Sequence, residues 1–181
     1  MILLARHGET DDNREPIRIQ GFRDTPLNDA GRAQAHELAE RVECKQIGAL
    51  YSSDLSRACE TAEIVGAHIG LQPRLDPRLR EGSRGIWEGR CWYEVEREDP
   101  ESYAAWRRAG ASFRFPGGES LGEQLRRVVE ALGEIGSADR QPGLAVCHGG
   151  SIRVALCHAN GDLALQRFHS WTIPNAALIE L

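Results

Sequence analysis

Ile2-Leu3-Leu4-Ala5-Arg6-His7-Gly8-Glu9-Thr10 is an apolar run that leads directly into a cation, an imidazole and a glycine. A run of this length is typical of a buried strand. Residues that follow such a strand lie at the carboxyl edge of the sheet, where open α/β folds bind ligands. The arrangement recurs where the apolar run 144–147 leads into His148-Gly149-Gly150. Together the two runs predict an active site around His7 and His148.

Strand-like and helix-like patterns alternate along the rest of the chain. Strands are predicted at 2–6, 48–52, 143–147 and 176–180, with a weaker one at 73–75. Helices are predicted at 29–43, 54–69, 119–135 and 150–159. This alternation predicts an α/β fold with three α/β/α layers and a largely parallel central sheet.

The length of 181 residues is enough for one well-buried core, so a single domain over 1–181 is predicted. The stretch 76–118 has a different composition, rich in Arg, Glu, Trp and Gly. We interpret it as an excursion over the active-site edge of the sheet and not as a separate domain.

The composition indicates which binding partners and which cellular compartment to expect. A formal net charge of -5 argues against a nucleic-acid partner, because phosphate backbones are bound through surplus positive charge. No apolar stretch approaches the length that spans a bilayer, so no membrane partner is expected. Five cysteines, odd in number and without a C-x-x-C pair, favour a reducing cytoplasm. A homodimer is plausible for an enzyme of this size.

The predicted second helix brings one more cation to the site. Its apolar positions keep i, i+3, i+4, i+7 spacing and lie on one stripe: Leu55, Ala58, Cys59, Ala62 and Val65. Ser53 is the predicted N-cap. Arg57 lies in the first turn and off this stripe, so we expect it to project toward His7.

Arg6, Arg57 and two histidines in one place would form a pocket for a tetrahedral dianion, since guanidinium groups match phosphate oxygens. Gly8, Gly149 and Gly150 let backbone N–H groups approach the anion. A neutral imidazole can attack phosphorus, and we assign that role to His7. A positively charged His148 would stabilise the transition state. Phosphoryl transfer also needs a carboxyl group for the proton, and Glu81 begins the excursion at the expected edge.

With these residues the chain resembles the histidine phosphatase superfamily, in the branch named for phosphoglycerate mutase. The resemblance rests on six blocks in order, at 4–13, 24–31, 51–62, 79–89, 116–120 and 146–153. It implies a phosphohistidine on His7, with Arg6, Arg57 and His148 holding the phosphoryl group and Glu81 as proton donor. It further implies that Asn13 contacts the phosphoryl oxygens, that Gln20 and Gly21 line the substrate entrance, and that no metal or other cofactor is needed.

The residues after Glu81 favour a phosphatase over a mutase. A mutase of this family would continue Arg-His-Tyr-Gly, whereas this chain continues Gly82-Ser83-Arg84-Gly85. The segment Trp106-Arg107-Arg108 is similar to mutases, so phosphoglycerate mutase stays the alternative. The predicted substrate is a small phosphorylated metabolite, a phosphomonoester whose other charged groups Arg84, Arg107, Arg108 or Arg114 can select.

Two other interpretations remain open at this point. One is an inactive member that binds phosphorylated ligands without turning them over. The other is a metal-dependent hydrolase that uses Asp11 and Asp12 with the two histidines. Trp92, Trp106 and Trp171 are expected to serve in packing and not in binding.

Overall fold

In the computed structural model, which describes residues 1–108 and 110–181, five strands form one mixed sheet in the order β3-β2-β4-β1-β5. The strands are β1 Ile2–Arg6, β2 Ala49–Ser52, β3 Arg74–Leu75, β4 Gly143–Cys147 and β5 Leu178–Glu180. The helices are α1 Asp29–Glu43, α2 Ser56–Ile69, α3 Trp92–Glu98, α4 Pro100–Arg108, α5 Leu121–Ser137 and α6 Gly149–Ala159. Strands β1 to β4 pair in parallel and β5 pairs antiparallel with β1. The predicted α/β class with a largely parallel sheet is confirmed.

Alternating side chains of β1 divide the core between the two faces of the sheet. Leu3 and Ala5 pack with residues of α1 and α2, such as Leu38 and Val65. Leu4 belongs to the other cluster, which contains residues of α5 and α6. Because successive strand residues point to opposite faces, an unbroken apolar strand must be covered on both sides, which gives the three layers.

The stretch 76–118 carries α3 and α4 and is anchored in the core. Trp87 and Phe115 are fully buried and belong to the same cluster as Leu4 of β1. Their rings meet edge to face with centroids 5.4 Å apart. The single-domain organisation stays a prediction, and this shared core supports it.

Ser53 is not the N-cap of α2, which begins two residues later than predicted, at Ser56. The carboxylate of Asp24 accepts hydrogen bonds of 2.7 Å from the backbone N–H and the hydroxyl of Ser56, and so takes the capping role. The hydroxyl of Ser53 contacts the ring of His148 instead, at 2.8 Å. Capping from a distant loop cannot be read from local sequence.

The last strand is shorter than the predicted 176–180. Ala176 has a φ of +53°, in the left-handed region that L-residues rarely adopt, so the chain turns there. The backbone N–H of Ala176 donates to the carbonyl of His7 at 3.2 Å. This turn brings the 173–177 segment against the carboxyl end of β1.

Among the helices described, none has the length and hydrophobicity that crossing a bilayer requires.

Candidate active site

The pairing of β1 with β4 places the two predicted histidines side by side. Arg6 is the register partner of Cys147, so His7 and His148 each follow the last paired residue of their strands. The backbone N–H of His7 donates to the carbonyl of Cys147 at 3.0 Å. The ring centroids of His7 and His148 lie 5.1 Å apart, and both side chains are buried.

The surroundings of His7 favour the neutral form that a nucleophile needs. Burial lowers its pKa well below the usual value, and the nearby His148, Arg57 and Arg6 lower it further. Nδ1 lies 2.6 Å from the carbonyl oxygen of Gly8, so in the neutral ring Nδ1 carries the proton and donates it there. The lone pair is therefore on Nε2, the atom available to attack phosphorus.

Two arginines, Arg57 and the partly buried Arg6, keep unsatisfied donors in this region. Arg57 uses Nη1 and Nη2 on the carbonyls of Arg23 and Gly21, at 2.8 and 2.9 Å. Arg6 uses Nη1 on the carbonyl of Ile173. The Nε atoms of both arginines are buried and, within the described part of the chain, have no hydrogen-bond partner. Buried donors without partners are costly, so a site that holds them is suited to an anion.

The surroundings of His148 lower the pKa of its ring in the protein without a bound anion. Its Nδ1 is buried and has no hydrogen-bond partner among residues 1–108 and 110–181. Burial lowers the pKa of its ring well below the usual value, and Arg57, Arg127 and Arg6 lower it further. The ring is therefore neutral in this structure, and an imidazolium there requires an anion beside it.

Glu81 reaches the same site and is held as a carboxylate. Its Oε2 accepts from the backbone N–H of Gly150 at 2.9 Å, and its Oε1 accepts from Gly82 and Gln124. Burial raises the pKa of Glu81, but Arg84 at 3.2 Å and these donors outweigh it and lower the pKa to about 2. Gly150 is required for this contact, because a Cβ there would lie 2.7 Å from Nη2 of Arg84.

A cavity of about 240 Å³ opens over these groups. Seven of the nine residues predicted for the site line it: Arg6, His7, Asn13, Gln20, Gly21, Glu81 and Gly149. The other two, Arg57 and His148, are fully buried beneath it. Gln20 donates to the hydroxyl of Thr10, and the side-chain oxygen of Asn13 accepts from Asn175 at 3.1 Å. All nine predicted residues thus lie at one sheet edge, and their roles stay predictions.

Other side chains also line the cavity. Arg84, one of the arginines predicted to select the substrate, lines it from the excursion, and Arg153, to which the sequence analysis gave no role, lines it from α6. Trp92 and Trp106 stack with centroids 4.1 Å apart and line it as well, so their role is wider than the predicted packing. Arg153 stands four residues after Gly149, and this helical spacing could have identified it. The position of Trp92 and Trp106 in the cavity wall depends on tertiary packing, so no local sequence pattern predicts it.

The structure separates the residues of the metal-dependent alternative. Asp12 binds Arg23 and the hydroxyl of Thr25, whereas Asp11 accepts from Asn28 at 3.3 Å. Across the described residues no group of three His, Cys, Asp or Glu side chains is arranged to hold a metal ion. Residues 1–108 and 110–181 therefore do not contain the metal-binding cluster that this alternative requires.

A neutral, buried imidazole beside guanidinium donors, at the carboxyl edge of an α/β sheet, defines an enzyme of phosphoryl transfer. The sequence profile described as the histidine phosphatase superfamily (branch 1) matches residues 2–181. The chain belongs to this superfamily, as the sequence predicted.

Known relatives carry both phosphatase and mutase names. The chain is 44% identical over 158 residues to phosphoglycerate mutase-like protein 4 of Arabidopsis thaliana, covering 84% of this chain and 67% of the relative. It is 38% identical over 160 residues to glucosyl-3-phosphoglycerate phosphatase of Mycobacterium tuberculosis, covering 83% of this chain and 71% of that protein. A solved structure of the mycobacterial glucosyl-3-phosphoglycerate phosphatase with VO3 superposes with a TM-score of 0.86 at 34% identity, over 98% of this chain and 88% of that one.

Proposed function

We propose that this protein is a phosphatase that hydrolyses small phosphomonoesters through a phosphohistidine on His7. The relatives with phosphatase names agree with the predicted hydrolysis of a small phosphorylated metabolite. The observation that carries the chemistry is the set of buried side-chain nitrogen atoms without partners around His7, on Arg6, Arg57 and His148. The N–H groups of the two arginines, and of His148 when its Nδ1 is protonated, are suited to the oxygens of a phosphoryl group.

In the first step Nε2 of His7 attacks phosphorus and the bond between phosphorus and the alcohol oxygen breaks. Protonated Glu81 gives its proton to the leaving oxygen, and the alcohol departs. In the second step the Glu81 carboxylate takes a proton from water as that water attacks phosphorus. The phosphorus–nitrogen bond breaks, inorganic phosphate leaves, and His7 and Glu81 return to their starting states.

The negative charge of the bound phosphoryl group changes the protonation of Glu81 and His148. A dianion beside Glu81 raises the pKa of that carboxyl group, because two negative charges in a buried site repel each other. The same dianion favours the imidazolium form of His148. Substrate binding therefore shifts Glu81 and His148 toward the protonated forms that the first step uses.

Trapping the phosphoenzyme tests this function directly. Brief reaction with a radiolabelled phosphomonoester should leave acid-labile label on the protein, and the label should be absent from His7→Ala. His36→Ala is the matched control, because His36 is exposed on α1 and should keep the label. A wild-type protein with neither label nor turnover would support the phospho-ligand binding module instead, and normal turnover by His7→Ala would refute the role of His7.

The mutase alternative is favoured by the names of some relatives. Arg107 and Arg108 belong to the segment that is similar to mutases. Within the described residues, neither of them lines the cavity. Incubation of the protein with 3-phosphoglycerate and bisphosphoglycerate distinguishes the activities. Free phosphate identifies a phosphatase, and 2-phosphoglycerate identifies a mutase.

We infer a reducing compartment from the cysteines, and we propose a homodimer because most soluble oligomers are symmetric homo-oligomers. The five cysteines are all unpaired in the described structure. This agrees with the proposed cytoplasmic location. Light scattering of the purified protein would establish whether it is a dimer.

A further inference from the structure

Arg84 is a buried cation with an unused donor beside the phosphoryl site. Its side chain is only 8% exposed, and its guanidinium group lies 4.3 Å above the ring of Phe115. Nη2 contacts the Glu81 carboxylate at 3.2 Å, but Nη1 has no hydrogen-bond partner among the described residues. The backbone N–H of Arg84 is fixed on Glu88 at 2.8 Å. Arg84 is therefore held in place while one donor remains unsatisfied.

Arg153 presents a second cation to the same cavity. Its Nε donates to the carbonyl of Trp171 at 3.0 Å, and the guanidinium group lies 5.7 Å from the ring of Phe168. In the described part of the chain it forms no ion pair with a carboxylate. Burial lowers the pKa of both arginines, and each guanidinium is close enough to Glu81 for its charge to counter that effect.

The cavity holds more positive charge than a phosphoryl group needs. Four arginines and one glutamate line it, which gives these side chains a formal charge of +3. Buried Arg57 beneath the cavity adds to this charge. A phosphoryl dianion leaves a positive remainder, and Arg84, which is buried, and Arg153, which is partly buried, are the cations that the proposed phosphoryl cluster does not use. Arg153 has no carboxylate partner among the described residues, and the single carboxylate of Glu81 does not neutralise the four arginines, so the cavity favours an anionic ligand.

We propose that Arg84 and Arg153 form a second anion subsite, which receives a carboxylate or a second phosphoryl group on the alcohol portion of the substrate. The inference rests on the proposed phosphatase function and narrows its substrate to phosphomonoesters with a further negative charge. Arg84 contacts both Glu81 and this subsite, so it also links the distal group of the substrate to the proton donor.

Two substrates that differ only in this charge provide the test. 3-Phosphoglycerate and glycerol 3-phosphate share the three-carbon phosphoester, but only the first carries a carboxylate. We expect kcat/KM for 3-phosphoglycerate to exceed that for glycerol 3-phosphate by about tenfold or more, as a charged hydrogen-bonded pair in a buried site produces. Glycerol 1,3-bisphosphate is the second arm, and a preference for it as well would show that the subsite accepts phosphoryl groups.

Arg84→Met and Arg153→Met should each reduce this preference by at least about fivefold. The ratio of the two substrates cancels any effect that Arg84→Met has on Glu81 alone, because both substrates need the same proton. Arg84→Lys should retain part of the preference. Arg32→Met is the control, since Arg32 also pairs with a carboxylate three residues away but lies exposed on α1.

Equal kcat/KM values for the two substrates in the wild type would overturn the subsite. An unchanged ratio in both methionine variants would overturn it equally. Hydrolysis of p-nitrophenyl phosphate and labelling of His7 report the proposed function separately. If both are absent, the phosphatase function has failed, whereas their presence without a charge preference refutes the subsite alone.

Discussion

His7 and Glu81 are both buried, and burial acts on their protonation in opposite directions. It removes the proton from the imidazole of His7, which suits a nucleophile. For Glu81 burial alone would retain a proton, but Arg84 and the backbone donors reverse the effect and lower its pKa to about 2. Both side chains are therefore unprotonated in the free enzyme. The proton for the leaving alcohol must be taken up with the substrate or after it binds.

Glu81→Gln should reduce the rate of hydrolysis most for substrates whose leaving groups are strongly basic. Glutamine keeps the size of the side chain but has no acidic proton to donate. We expect hydrolysis of alkyl phosphates to fall by about 10²–10⁴-fold, the usual contribution of general acid catalysis. Phosphoenzyme formation from p-nitrophenyl phosphate should fall far less, because nitrophenolate leaves without a proton. Single-turnover kinetics on both substrates measure the difference.

Glu60→Gln is the control for this experiment. Glu60 pairs with Arg32 on the surface and lies outside the cavity lining. Its substitution should affect neither substrate. An equal loss of phosphoenzyme formation on both substrates in Glu81→Gln would show that Glu81 acts by orienting groups and not by donating a proton.

Local sequence predicted the residues that follow strand ends better than those on helices and loops. His7, Arg6 and His148 were predicted because a polar residue after an apolar run has a defined place on the sheet. Arg57 was predicted from its offset in the first turn of α2. Arg153 was missed although its helical spacing from Gly149 is readable in the sequence. The contact of Arg84 with Glu81 was not foreseen, because it depends on how the excursion packs against the sheet edge.

The helices differ in where their capping groups come from. Helix α5 begins one residue after Ser120, whose hydroxyl accepts from Glu123 in a capping box, a local pattern that the sequence contains. Helix α2 is capped by Asp24 from a separate loop. Both predicted starts, at residues 119 and 54, were two residues early. The cap of α5 can be read from neighbouring residues, whereas the cap of α2 depends on the tertiary fold.

Helix α5 offers a test of its own stability. Gly133 lies in this helix, and an added Cβ there would meet no atom within 4 Å. Gly133→Ala should therefore raise the free energy of unfolding by about 0.5–1 kcal/mol, because alanine loses less backbone entropy than glycine. Urea unfolding monitored by circular dichroism measures this change.

Gly136→Ala is the matched comparison on the same helix. A Cβ at Gly136 would lie 3.1 Å from Cδ1 of Ile2, so the side chain of Ile2 has to adjust. We expect a smaller gain than at Gly133, or a loss. Equal gains at both positions would show that Ile2 moves freely, contrary to the packing described.

At the level of the whole molecule, the two buried histidines make stability depend on pH. Their pKa values are lowered in the folded state, whereas unfolded histidine titrates near 6.5. Below that pH the unfolded chain binds protons that the folded chain does not, so stability is present above pH 6.5 and is lost as the pH falls. We expect a loss on the order of 1 kcal/mol per pH unit for each histidine.

Calorimetry between pH 7 and pH 5.5 checks this expectation. His148→Gln removes one of the two groups and should reduce the slope of stability against pH. Gly133→Ala should shift the whole curve upward and leave its slope unchanged. A wild-type curve that is flat in this interval would show that the histidines take up protons without unfolding.

The class of fold followed from the alternation of patterns, but the order of the strands did not. Strands β1 and β4 are neighbours although more than half of the chain separates them, and no local pattern records this pairing. The antiparallel direction of β5 depends on the turn at Ala176. These features arise from packing of the complete chain, which also determines how 76–118 covers the site.

The spacing of His7 and His148 is set by backbone hydrogen bonds between β1 and β4 and not by the side chains that surround the substrate. The wall that meets the alcohol portion of a substrate comes largely from other segments, including Arg84, Trp92 and Trp106. Much of the wall that meets the alcohol portion is thus encoded in 82–118, although Arg153 follows His148 on α6. Exchange of 82–118 with Arg84 kept beside Glu81 is therefore a practical route to altered substrate preference with the catalytic step retained.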